Sequence, residues 1–307
     1  MSEKVSERFV VTLKKSLMCV ISFAPLLNFS KIQAMESPYS KQKGKRAALI
    51  IAHPGHELRV HHWLEEAKPV VLVLTDGSGR TSKSRLESTT RILQRAGARP
   101  GSIYGRFTDA GIYEIMLQGK SDLVLPLLNE TAEFLIAEQI DYVAGDALEG
   151  YNTSHELCRY LIGAAIELAR RKTGREIANY DFLLTGRPDE CPERLRANAI
   201  HLPLDDAAIA RKLAAAEGYP ELKHEVEGAL KQFGKILFAQ EWLRPVPNHT
   251  GINLDHAEVP YYESYGEKQK AAGHYQHVIR FREHMLPLAQ AMWAEVEKVN
   301  SGSPCAF

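Results

Sequence analysis

The stretch Ala47-Ala48-Leu49-Ile50-Ile51-Ala52-His53-Pro54-Gly55-His56-Glu57 decides how this chain reads. Its first six residues are apolar without a break, the pattern of a strand buried on both faces of a parallel sheet. The run stops at two histidines three residues apart, with a proline and a glycine between them. In an open α/β sheet, ligands and reactive groups collect at the carboxyl ends of strands. Two imidazoles delivered there by a tight turn have the makings of a metal site.

Outward from this stretch, helices are expected over 57–67, 84–96, 123–138 and 153–171. Further strands are expected over 70–74, 102–107, 140–144 and 179–185. Strands alternating with helices imply βαβ units, hence an α/β fold with a Rossmann-like, mostly parallel sheet and flanking helices. From Glu190 the pattern turns helical, over 205–216, 221–233 and, in pieces, 262–299. Pro245, Pro247, Gly251 and Pro260 punctuate the approach to the last of these. This helical C-terminal extension is expected to pack on the same sheet and wall one side of the site. Residues 45–300 therefore read as a single domain, with 1–44 a leader or disordered segment and 301–307 a tail.

Composition narrows the function classes. The 307 residues carry 38 Lys plus Arg against 38 Asp plus Glu, for a net charge of zero. Such a balance argues against nucleic acid as a partner, which calls for a broad basic face, and leaves room for a small polar substrate. Cys19, Cys158, Cys191 and Cys305 form no C-x-x-C pair, so reduced thiols in a cytoplasmic protein are expected. Export is the alternative, if residues 1–34 are a signal peptide: Lys14 and Lys15 precede an apolar stretch over 17–29 that Pro25 interrupts. That stretch is too short for a clear membrane span. The oligomeric state is not legible.

A nucleotide-binding reading needs a glycine-rich turn after the first strand, so that backbone can approach a pyrophosphate. Here the turn holds one glycine among imidazoles. Zinc, or another divalent metal, instead wants three protein ligands and an open position in a catalytic site. His53 and His56 offer two. The strand over 140–144 leads toward His155, in the first turn of a helix that Thr153 or Ser154 would cap. That placement aims a third imidazole at the same crevice.

These residues carry a resemblance to the PIG-L (LmbE-like) family of zinc-dependent de-N-acetylases of N-acetylglucosamine conjugates. The family's His-Pro-Asp-Asp-Glu resembles His53-Pro54-Gly55-His56-Glu57, and its later His-Pro-Asp-His resembles Asn152-Thr153-Ser154-His155. Thr75-Asp76-Gly77, Arg85-x-Glu87, Asp109 after Phe107, and His274-Tyr275-Gln276 are similar to further family segments. The resemblance spans 45–288, nearly the whole body of the chain. It implies zinc on His53, His56 and His155, an activated water attacking an acetamide carbonyl, and an amino-sugar conjugate as the small-molecule substrate. Two departures stand out. The family's general-base position is Gly55, which cannot accept a proton, and its oxyanion-stabilising histidine is Asn152, which can donate but brings no charge. Glu57, Asp109 and His274 are the candidate replacements for the base, and Asp76 and Arg85 the candidate substrate contacts. Three neutral ligands leave the full charge on the metal and should acidify its water. The alternatives are an altered chemistry, such as ester deacylation, or a catalytically silent sugar-binding module.

Overall fold

A computed structural model describes residues 42–79, 82–246 and 259–299. Residues 1–41, which make up most of the expected leader or disordered segment and include Cys19, lie outside the described residues, as do Pro247, Gly251, Cys305 and the expected tail over 301–307. Seven strands form one sheet in the order β3-β2-β1-β4-β5-β7-β6. The strands are β1 (Ala47–Ile51), β2 (Val70–Thr75), β3 (Arg99–Phe107), β4 (Tyr142–Asp146), β5 (Ala178–Phe182), β6 (Ile200–Pro203) and β7 (Gln240–Pro245). The first five run parallel, with Leu49 of β1 paired to Val71 on one side and Ala144 on the other. β7 then joins β5, and β6 joins β7, both antiparallel. The last two strands lie in the stretch read from sequence as helical, and they widen the sheet beyond its parallel core.

β1 shows why this chain makes a covered sheet. Ala48, Ile50 and Ala52 point into one hydrophobic cluster while Ala47, Leu49 and Ile51 point into the other. Both faces are apolar because helices cover both. On the first face lie α3 (Asp109–Leu117), α4 (Ser121–Ala137), α5 (Thr153–Thr173) and α10 (Leu286–Glu297), with Met116, Leu128, Ile162 and Met292 fully buried. Against the second lie α1 (His61–Ala67), α2 (Leu86–Ala96) and part of α7 (Asp206–Glu217), with Trp63 and Leu93 fully buried. Between them in sequence, α6 (Glu193–Arg196), α8 (Lys223–Phe233) and α9 (Tyr261–Ala271) complete the α-helices of the described residues, and a π-helical turn over Phe281–Met285 leads into α10.

α3 was not expected from periodicity. Thr108 caps it, accepting the Gly111 N–H at 2.9 Å, and so turns the chain directly after β3. No helix of the described residues is long and apolar enough to cross a membrane.

The strand order fixes where a ligand goes. From β1 the chain moves outward to β2 and β3, then crosses back to β4 on the other side of β1. The connections leaving β1 and β4 therefore diverge above the carboxyl ends of these neighbours, opening a crevice there. The His53–His56 turn leaves β1 at this place, and the segment from β4 to α5 begins beside it.

Candidate metal centre

The turn after β1 is built around Gly55. Its φ of +108° is a left-handed conformation, which glycine adopts without steric cost. Its N–H donates to Glu57 Oε2 at 2.7 Å, while Thr89 Oγ1 of α2 donates to Glu57 Oε1 at 2.7 Å. Glu57 is fully buried. Burial raises its pKa, against the Thr89 hydroxyl and the backbone donors that lower it. Both carboxyl oxygens are thus engaged behind the turn, and Glu57 does not line the cavity in front of it. The residue expected as a candidate base thus sits as a staple between the turn and α2.

This staple presents His53 and His56 to the crevice, where His155 meets them from the first turn of α5. The ring centroids stand 5.3 Å apart for His53–His56, 5.2 Å for His53–His155 and 4.5 Å for His56–His155, all edge to face. Each outer nitrogen of the first two rings is held from behind. His53 Nδ1 lies 3.0 Å from Asp109 Oδ1 and 2.7 Å from Thr75 Oγ1. The Thr75 hydroxyl donates to Ala52 O at 3.1 Å, so the proton on His53 Nδ1 has acceptors in both neighbours. His56 Nδ1 lies 2.9 Å from Asp146 Oδ1, and Asp146 Oδ2 accepts the Ala52 N–H at 2.8 Å. A carboxylate behind an imidazole keeps the proton on Nδ1 and turns the Nε2 lone pair forward.

The donor set fits zinc in kind. Burial first, then the neighbouring His53, holds His56 well below the ordinary histidine pKa. Burial and His56 do the same to His155. Neutral imidazole is the form that binds metal. His155 Nδ1 is sealed from solvent with no hydrogen-bond partner among the described residues, an atom whose desolvation nothing there offsets. The three separations bring the rings into one cluster. Among the described residues no group of three or more His, Cys, Asp or Glu side chains is placed to hold a metal ion. What is present is the cluster, burial that favours the neutral form of His56 and His155, and a carboxylate behind His53 and His56.

The cluster forms part of a cavity of about 1040 Å3. Asn152, Asp109, Arg85 and His274 all line it. Asn152, rather than Thr153 or Ser154, caps α5: its Oδ1 accepts the Ser154 N–H at 2.8 Å. That leaves its amide nitrogen as the donor it can present. Asp109 holds His53 from one oxygen and accepts the Gly79 N–H at 2.6 Å with the other. Burial alone would raise it, yet its hydrogen bond and attraction to His53 hold it well below the usual carboxylate range. It is a buttress of the first histidine and a poor proton acceptor. Arg85 Nε donates to Gly77 O at 2.5 Å, and its expected neighbour Glu87 pairs instead with Arg91.

Asp76 does not reach the cavity. Its Oδ1 accepts the Ser78 N–H at 2.9 Å, and its carbonyl accepts the Arg85 N–H at 2.8 Å. The residue expected as a substrate contact shapes the turn after β2. His274, His277 and His284 are spaced as one helix face would be, but only His284 is helical. His274 lies in the turn and bend that follow α9, His277 a little further on, and both line the cavity.

Sequence reasoning missed Asp146 and Glu156. Asp146 is fully buried at the end of β4, and a carboxyl closing the run Tyr142-Val143-Ala144-Gly145 was the available signal. Glu156 Oε1 accepts the N–H groups of Glu149 and Gly150 at 3.1 and 2.8 Å, tying down the loop before α5. Burial lifts its pKa to about 7 against those two donors.

No protein-family model matches the chain, and no curated protein matches it. Among solved structures, it is similar to the A40926 pseudoaglycone deacetylase Dbv21, with a TM-score of 0.46 and 20% identity over 67% of this chain and 98% of that one. A triple mutant of the deacetylase Orf2 from the teicoplanin biosynthetic pathway is similar with a TM-score of 0.42 and 14% identity, over 66% of this chain and 97% of that one. The zinc-inhibited form of teicoplanin deacetylase Orf2 has a TM-score of 0.42 and 12% identity over the same shares. At such scores and identities nothing about this chain's chemistry follows from them.

Proposed function

We propose that the chain is a zinc-dependent hydrolase that removes an acyl group from the nitrogen of an amino sugar or a related conjugate, with His53, His56 and His155 as the ligands. The observation that carries this reading is the packing of three imidazoles against one another on a large cavity, two of them backed by carboxylates. The zinc would supply Lewis acidity, making water a nucleophile at neutral pH and polarising the acyl oxygen.

The chain's own residues do the rest. Asp109 and Asp146 fix the ring orientations of His53 and His56. The Asn152 amide donates toward the oxygen that gains charge as water adds to the acyl carbon. In the balanced reaction the water oxygen bonds to the acyl carbon, the C–N bond breaks, and a proton passes to the departing amine. His274 is assigned that last transfer, since Glu57 is engaged behind the turn and Asp109 is held ionised. General acid–base help of this kind is worth about 10²–10⁴-fold.

One observation favours a second reading, a sugar-binding module without turnover. A Cβ at position 55 would overlap Leu222 Cδ1, so the place where the resembling family carries its base is filled by an apolar side chain. Release of the carboxylic acid from N-acetylglucosamine conjugates, by the zinc-reconstituted protein and by His53→Ala and His155→Ala, separates the two. Hydrolysis by the wild type alone supports the enzyme. Equal release by all three proteins overturns it.

A further inference from the structure

α8 has an apolar stripe whose packing is unfinished. Leu222, just before it, and Val226, Ala229 and Leu230 within it recur at the spacing of one helix face. Such a stripe ordinarily closes onto the core, yet no residue of α8 is buried. Leu222 and Val226 touch the hydrophobic cluster beneath the helix, and all four line the cavity that holds His53, His56 and His155. Leu58, Leu184, Leu213 and Phe238 extend the same apolar wall.

The wall begins at the metal turn itself, because Leu222 stands against Gly55. Other surfaces of the cavity differ in chemistry. Tyr151 and Tyr261 stack with centroids 5.2 Å apart and planes within 3°, and His274, Gln276 and His277 add hydrogen-bonding groups. A flat aromatic and polar surface suits a sugar. A strip of Leu, Val and Ala does not, and a two-carbon acetyl group would leave most of it in water. The volume of about 1040 Å3 reaches the top of the range for sites that enclose drug-sized ligands, about 300–1,000 Å3.

We infer that the α8 wall is an acyl-chain subsite: the amide that this site cleaves carries a straight acyl chain longer than acetyl, laid along Leu222, Val226, Ala229 and Leu230, with the sugar on the tyrosine surface. The inference rests on the hydrolase reading above. Each methylene moved from water onto such a wall strengthens binding by up to about fourfold.

The test uses the full chain, the wild type zinc-loaded, with N-acetyl-, N-butanoyl-, N-hexanoyl- and N-octanoylglucosamine below their micelle concentrations. Two readouts are taken: release of the carboxylic acid by wild type, and affinity of uncleaved ligand for His155→Ala by calorimetry. Affinity should rise steadily with chain length, by on the order of several hundred-fold from acetyl to octanoyl. Leu230→Asp should flatten the rise, and Ala229→Trp should cut it off at shorter chains. Circular dichroism checks that both variants fold. Affinity independent of chain length, or a rise that neither folded variant changes, overturns the subsite. Chain-dependent affinity without any acid release by wild type leaves the subsite standing and overturns the hydrolase reading instead.

Discussion

The histidine floor of the cavity and its α8 wall are built on opposite plans. On the floor every orienting group is itself held. Asp146 is tied to Ala52 N, Asp109 to Gly79 N, and Glu57 to Gly55 N and Thr89. The wall has a helix with no buried residue and an apolar stripe facing open space. A floor so cross-tied keeps its geometry with or without a ligand, which is what metal chemistry needs. A wall so lightly packed can adapt, which is what an apolar substituent of variable length needs. Positioning and accommodation are thus assigned to different elements.

The comparison can be broken at several points. The largest effects belong to the floor: His53→Ala, His56→Ala or His155→Ala should abolish stoichiometric zinc and reduce hydrolysis to background, read by metal analysis and acid release. Next come the buttresses. Asp146→Asn and Asp109→Asn should each weaken zinc affinity about 10–100-fold while leaving the fold intact, as measured by competition with a chelator. A smaller change is expected behind the turn. Glu57→Gln should lower stability by about 1–3 kcal/mol in urea unfolding, without a matching change in the activity of the folded fraction. A large activity loss in fully folded Glu57→Gln would restore Glu57 to the chemistry. Gly55→Ala should destabilise by a similar amount, about 1–3 kcal/mol, because of its positive φ, with Leu222 forced to move. The smallest stability change belongs to the wall, where Leu230→Asp should shift unfolding by about 0.5 kcal/mol or less. A loss of several kcal/mol there would show that α8 is core after all.

Much of the floor was legible in the sequence, because its signals are local. The apolar run of β1 predicts a buried strand, the His-Pro-Gly-His turn places two imidazoles at its end, and the helix beginning near Thr153 carries the third. What was not legible depends on contacts far apart in sequence. Asp146 looks like an ordinary loop start until β4 lies beside β1, where its carboxyl meets Ala52 and His56, ninety or more positions away. Glu57 looks like a free acid beside a metal ligand until α2 closes over it with Thr89. β6 and β7 escaped for a related reason. Gln240 to Pro245 reads as a polar, proline-ended segment, and only pairing with β5 and β6 makes it a strand. The α8 stripe was visible as helix periodicity, but which surface it faces is a tertiary fact.

On the proposed reading, His53, His56 and His155 on this floor hold one zinc. The most direct test is the metal content of the purified, zinc-reconstituted full chain beside His155→Ala, after exhaustive dialysis. The account predicts one zinc per wild-type chain and none retained by the folded variant. Substoichiometric zinc in the wild type, or equal retention by both proteins, would contradict it.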